Sequence, residues 1–309
     1  MQKITPHLWF DREAEDAARL YASLFPDSAI GTVSRYGKTG QEVHGQPEGQ
    51  AMTVPFTLAG YDMLGLNGGP HFRFTPAISF FVTLETEEAV NAIWSGLVAD
   101  GTVLMPLDRY DWSEKYGWLS DRYGVSWQIA LGDCAEVGHQ AICPSLLFVG
   151  AQHGRAEAAM EHYMAVFSTS PAASSTAPTA VDGILRYDGG PDPAGTVKHA
   201  QFRLAGETFM AMDSAAAHDF GFTEAVSFMV GCDNQAEVDH YWSGLSAVPD
   251  AERCGWLKDR FGVSWQIVPR ILPRLLADPD PARSARVMQA MLAMKKIDIE
   301  VLKAEHEGR

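Results

Sequence analysis

The sequence predicts an α+β protein of two tandem domains, built from four strand-helix-three-strand modules and followed by a C-terminal helix. Three observations predict it. GWLSDRYGVSWQI, beginning at Gly117, returns as GWLKDRFGVSWQI at Gly255, with eleven of the thirteen letters identical. Strand-like alternation followed by helix-like periodicity occurs twice in each half of the chain. The chain has 309 residues, a little over twice the 138-residue spacing of the repeat, which means two similar domains rather than a solenoid of short units.

The first strand is ITPHLWF from Ile4, with Thr5, His7 and Trp9 on one face and Ile4, Leu8 and Phe10 on the other. In AEDAARLYASLF, ending at Phe25, Ala17, Leu20, Tyr21, Leu24 and Phe25 recur at three and four residues, and Pro26 follows. That is an amphipathic helix with a stop. Strands are expected at residues 30–36, 52–59 and 63–66, with a long polar loop at 37–50 and a turn at Asn67-Gly68-Gly69-Pro70. The order then restarts with a strand at 77–84, a helix TEEAVNAIWSGL capped by Thr86, and strands around Val103, Trp118 and Trp127.

The second half repeats this order with edits. ICPSLLF at Ile142 matches the first strand by the same 138, whereas AVSFMV at Ala225 matches AISFFV at Ala77 by 148. Different offsets locate insertions in loops. The low-complexity segment STSPAASSTAPTA, from Ser168, reads as a disordered loop replacing part of a strand. From Leu97 to Gly117 there are 20 residues but from Leu245 to Gly255 only 10, so the second copy lacks a counterpart of MPLDRYDWSEKY and the halves are not equivalent. The expected units are residues 1–133, 140–270 and a helical extension at 271–309. In that extension SARVMQAMLAMKKIDIEVLKAEHEG reads as one long helix, whose stripe of Met288, Met291, Leu292, Ile299 and Leu302 suits packing on a domain or on a second subunit of a homodimer.

Composition removes several function classes. A net charge of −15 without a basic run opposes nucleic acid and anionic membranes. No apolar run approaches eighteen residues, and Pro6, His7 and Asp11 interrupt the N-terminal segment, so a soluble cytoplasmic protein is expected. Cys134, Cys143, Cys232 and Cys254 form no CxxC pair and occupy unmatched positions in the two copies, which reads as unpaired thiols rather than a metal cluster.

The paired modules, ITPHLWF with DREAEDAARLYASLFPDS after it, LGLNGGP, GVSWQI twice, and the tail RVMQAMLAMKKIDIEVL resemble the PhnB-like proteins of the vicinal-oxygen-chelate (glyoxalase and bleomycin-resistance) superfamily. The resemblance covers nearly the whole chain. It implies that each module contributes half of a cupped sheet, that two modules enclose a cavity, and that four make a fused version of the dimer formed by shorter relatives. The family is often labelled a demethylubiquinone methyltransferase, yet the sequence holds no Gly-rich strand-to-helix turn of the kind that binds S-adenosylmethionine.

Metal-using members of the superfamily place ligands on the first and last strands of a module. The resemblance carries those positions to His7 and Gln128 in the first copy and to Ser145 and Gln266 in the second, with Asn67 as the plausible donor on the LGLNGG strand. One imidazole with two amides and no carboxylate is a poor set for a divalent ion. No cofactor is therefore predicted, and a metal, if held, would sit at His7 and Gln128. Tyr110, Trp112, Tyr116 and Trp118 fall within nine residues, which suits the wall of an apolar pocket or packing beneath a loop. His199 shares a strand face with Gln201 and Arg203. Trp127 and Trp265 are expected in the core, and Asp121-Arg122 and Asp259-Arg260 are expected to shape a hairpin through turn chemistry and a local ion pair. The candidate ligand-binding residues are thus His7, Asn67, Tyr110, Trp112, Gln128, Ser145, His199 and Gln266. Two function classes follow: a metal-independent protein that binds an apolar or amphipathic small molecule, and a metal-dependent glyoxalase-like isomerase, lyase or dioxygenase.

Overall fold

The structure is a computed structural model that describes residues 2–171 and 178–309. Its first module comprises β1 (Ile4–Phe10), α1 (Ala14–Leu24), β2 (Ala29–Ile30), a short α2 (Gln41–His44), β3 (Thr53–Leu58) and β4 (Tyr61–Asn67). The second has β5 (Ile78–Leu84), α3 (Glu87–Val98), β6 (Thr102–Tyr110), β7 (Ser113–Ser120) and β8 (Ser126–Leu131). The third has β9 (Ile142–Phe148), α4 (Ala156–Ser168), β10 (Ala180–Arg186), β11 (Val197–Leu204) and β12 (Glu207–Asp213). The fourth has β13 (Val226–Cys232), α5 (Gln235–Leu245), β14 (Trp256–Lys258) and β15 (Ser264–Pro269). The strand absent from this last module is the counterpart of β6, at the place where the second copy is ten residues shorter. Part of the low-complexity segment, 172–177, lies outside the described residues.

The sheets run across the repeat. Modules one and four share a seven-stranded sheet in the order β14-β15-β13-β1-β4-β3-β2, and modules two and three share an eight-stranded sheet in the order β10-β11-β12-β9-β5-β8-β7-β6. The seams are antiparallel: Ile4 pairs with Val230 and His7 with Ser227, while Ile78 pairs with Leu146 and Ser79 with Ser145. Helices α1, α3, α4 and α5 fill the space behind the two sheets, with α1 against α3 and α4 against α5. The strand faces turned away from the helices form two cups.

The helices, in contrast, pack on strands of their own sequence half. Tyr21 and Phe25 of α1 meet the Trp127 ring at 5.1 and 5.6 Å, and Tyr163 and Phe167 of α4 meet Trp265 at 5.2 and 5.8 Å. Both tryptophans are fully buried core residues, as expected. Beside each lies a buried carboxylate. Asp121 accepts from the Tyr21 hydroxyl (2.6 Å), Trp127 Nε1 (2.9 Å) and the amides of Tyr123 and Val125. Asp259 does the same with Tyr163, Trp265, Phe261 and Val263. Burial pushes both carboxyls up, and these donors pull them back down. The turn chemistry holds, but Asp121 makes no ion pair with its neighbour: Arg122 reaches Asp100 at 3.4 Å. A solvated arginine beside a carboxylate already given four donors has nothing to gain by burial.

The Thr86 cap forms as expected, its Oγ1 accepting from Ala89 N. The C-terminal extension departs from the single long helix. It consists of α6 (Leu272–Leu276), α7 (Pro281–Ala293) and α8 (Ile299–Glu307). The carbonyls of Met294 and Lys295 accept from the amides of Cys254 and Gly255 instead of continuing α7, and Asp298 caps α8 by accepting from Glu300 and Val301. The extension thereby covers the start of β14, where β6 covers β7 in the other sheet. Of its apolar stripe, Met291 and Leu302 pack within the chain, joining Val287, Ile297, Leu272 and Leu275 in a small second core, and Ile299 joins the main core.

Candidate functional site

The candidate site is the cup of the eight-stranded sheet. Alternation turns Ser79 of β5, Gln128 of β8 and Ser145 of β9 toward the concave side, and register brings them together. Gln128 Nε2 donates to Ser79 Oγ at 2.8 Å and to Ser145 Oγ at 3.4 Å, and Gln128 Oε1 accepts from the Tyr116 hydroxyl at 2.7 Å. Burial pushes the Tyr116 phenol far above its ordinary range, so it stays a donor. Above this neutral polar floor opens a cavity of about 790 Å³. Phe81, Trp118, Leu147, Met210 and Met212 line it with apolar surface, Lys198, His199, Gln201 and His218 add polar groups, and Asp133, Glu136 and Asp213 add carboxylates. His199 is held neutral by burial, which lowers its pKa.

The mouth is edged by apolar side chains from opposite ends of the sheet, Trp112 at 60% exposure and Leu185 at 64%. Trp112 stacks on Tyr110 with ring centroids 4.9 Å apart, and both rings meet Tyr116 edge-on. Tyr110 therefore supports the wall from behind.

The second cup, in the seven-stranded sheet, holds the equivalent floor: Gln266 Nε2 contacts Ser227 Oγ at 3.0 Å and meets His7 Nδ1. Here the first-strand positions carry His7 and Trp9 where the open cup has Ser145 and Leu147. Trp256 fills the space above, 5.6 Å from the His7 ring and 5.8 Å from the Trp9 ring. Burial lowers the His7 pKa to about 3. A hollow of about 340 Å³ on the same sheet is lined by Thr5, Pro55, Leu64 and Met229, without His7.

Of the candidates read from the sequence, Gln128, Ser145, His199 and Trp112 meet at the open cup with Tyr110 behind them, and His7 and Gln266 meet at the other. His7 and Gln128 lie on different sheets and cannot share an ion, because the sheets join modules across the repeat. Asn67 is in neither cup. Its Oδ1 accepts from Ala14 N and its Nδ2 donates to Ala51 O, which fixes the entrance to α1. Arg203 is tied to Asp182 at 2.6 Å, and the cations of Arg35 and Arg186 go to Glu15 and Glu157. Ser79, Phe81 and the methionines carry no sequence signal: nothing local marks a serine in ISFFVTL as facing a cup rather than the core.

Neither floor suits a divalent ion. The donors are amides, hydroxyls and one imidazole with no carboxylate among them, and among the described residues no three His, Cys, Asp or Glu side chains are grouped to hold a metal.

Paired strand-helix modules curving into two cups define a protein of the vicinal-oxygen-chelate, or glyoxalase, fold. Within that class, the model of the 3-demethylubiquinone-9 3-methyltransferase family matches residues 2–130 and again 140–268, and the chain belongs to this family as a tandem duplication. The PhnB protein of Bacillus cereus is 44% identical over 42% of this chain and 100% of its own, with a TM-score of 0.40. A protein from Staphylococcus aureus is 32% identical over 43% of this chain and 98% of its own, with a TM-score of 0.18. Glyoxalase I from Zea mays is 9% identical, covering 85% of this chain and 92% of its own, with a TM-score of 0.44. No curated protein matches.

Proposed function

We propose that the cup above Gln128 binds an uncharged, amphipathic small molecule and does so without a metal ion. The observation that carries this reading is the cavity of about 790 Å³ set on a neutral hydrogen-bonded floor. A volume in this range suits a drug-sized ligand. Aromatic and thioether walls favour a flat apolar body, since sulfur and ring edges make favourable contacts with aromatic faces. The floor itself, made of Gln128, Ser79, Ser145 and Tyr116, carries no formal charge and gives no compensation for burying an ionised head group against it, so the end of the ligand that meets it is a hydroxyl, carbonyl or amide.

The test uses 2-naphthol as probe, followed by quenching of tryptophan fluorescence. Met210→Trp, which fills the cup, is expected to weaken binding at least about tenfold. Trp112→Ala is expected to weaken it by a factor of about 3–10, in line with loss of one aromatic contact. Wild-type affinity in both variants would overturn the reading. So would a stoichiometric divalent ion, in protein purified without chelator, that is lost on Gln128→Ala.

A further inference from the structure

The two cups are built alike but differ in where one indole lies, and the difference leaves two polar atoms stranded. In the open cup Trp118, opposite Gln128 in register, folds back on its own sheet, and its Nε1 donates to Ser126 Oγ at 2.8 Å. Trp256, opposite Gln266 in register, is the same residue of the repeat. Its serine partner would be Ser264, yet Ser264 Oγ is buried without a hydrogen-bond partner. Instead the indole sits over the cup against His7 and Trp9. Beneath it, His7 is 5% exposed and its Nε2 is likewise buried without a partner. An unpaired buried polar group destabilises the arrangement that holds it. One movement answers both vacancies: the indole swings to Ser264, as Trp118 does to Ser126, and a ligand takes its place above His7.

We propose that Trp256 is the gate of a second, latent binding site in the cup of the seven-stranded sheet, and that this site takes an uncharged aromatic molecule bearing a hydrogen-bond-accepting oxygen. The acceptor follows from the floor. His7 Nδ1 receives the Gln266 amide, so the neutral ring carries its proton on Nε2 and needs an oxygen to receive it. Burial keeps that ring neutral. The aromatic body follows from Trp9 and the swung Trp256, with Leu64 and Met229 on the same concave face beside them. This site is separate from the open cup and goes beyond the function proposed there.

The probes are acetophenone and its hydrocarbon isostere α-methylstyrene, titrated calorimetrically into the full chain. Trp256→Ala removes the gate and is expected to bind one more equivalent of acetophenone than wild type. That additional site should prefer acetophenone over α-methylstyrene by at least about tenfold, and His7→Phe in the same background should abolish it. An unchanged number of equivalents, or an additional site indifferent to both the carbonyl and His7, overturns the proposal. If Trp256→Ala does not fold, Ser264→Ala carries the test. It deletes a stranded hydroxyl in the closed form and the docking point of the indole in the open form. Its melting temperature should therefore rise, while the response of the His7 Nε2 resonance to acetophenone, read by nitrogen-15 NMR, falls below that of wild type. A lowered melting temperature or an undiminished response overturns the proposal.

Discussion

A carboxylate at the junction of the two sheets shows how much a single buried group can govern. Glu207 opens β12 in the eight-stranded sheet, and its Oε1 accepts from the amides of Lys3 and Ile4, each at 2.7 Å, at the start of β1 in the other sheet. Its Oε2 is buried without a partner. Burial raises its pKa from 4.5 to about 8 against the pull of those two amides. Between these values the folded protein holds a proton that the unfolded chain has released, so stability falls as pH rises through this window. In Glu207→Gln that component of the pH dependence should vanish. At about pH 8.5 the variant is expected to exceed wild type by about 1–3 kcal/mol in urea unfolding, with a much smaller difference near about pH 5. Parallel curves at the two pH values would show that Glu207 does not control the slope. Nothing in AGETFM announces this role, because a glutamate after a turn is ordinarily solvated and only the long-range meeting with Lys3 and Ile4 buries it. The same holds for Asn67: its donor chemistry is legible, but not that the amide is already committed to Ala14 and Ala51.

Among elements, those that follow local rules were legible. The α1 stripe, the Thr86 cap and the burial of Trp127 all rest on periodicity or on neighbours a few residues away. The C-terminal extension looks like one helix in sequence because its apolar spacing runs on past Met294. What breaks the helix is the engagement of the Met294 and Lys295 carbonyls by Cys254 and Gly255, some forty residues earlier in the chain. Ile297, fully buried in the linker between α7 and α8, anchors that arrangement. Ile297→Ala should cost about 2–5 kcal/mol, the range for emptying a buried isoleucine site. It should also speed hydrogen exchange at the amides of Cys254 and Gly255. Loss of stability without faster exchange there would mean that the small core and the β14 cover are independent.

For the whole molecule, the duplication and both module orders could be read from the letters, whereas the partition of modules between sheets could not. Alternation assigns a residue to a face but not to a partner strand 220 residues away, and for this reason His7 and Gln128 were expected together although they lie in different cups. The structure makes a direct prediction for the first half alone. Residues 1–133 contain a complete set of helix-to-sheet contacts, yet β1 and β5 would each present an unpaired edge in the middle of a sheet. Because module three resembles module one and module four resembles module two, two copies of this half can complete both sheets with each other. Light scattering of the isolated half should therefore give a dimer, and a stable folded monomer would contradict the seam. Cutting the intact chain in the 132–141 connection should, by the same reasoning, leave the halves associated.

The same nesting of one sheet inside the other has a consequence for the order in which the chain acquires structure during synthesis. The eight-stranded sheet is made from one uninterrupted stretch, Ile78 to Asp213, whereas the first strand of the seven-stranded sheet pairs Ile4 with Val230. A ribosome delivers the whole inner sheet before β13 exists, so the N-terminal module waits with one edge open while its neighbours close. Nascent chains stalled after residue 220 should show protected amides in β5 and β9 and exchanging amides along the β13-facing edge of β1. Protection of that edge before β13 is made would mean that another partner holds it in the interval.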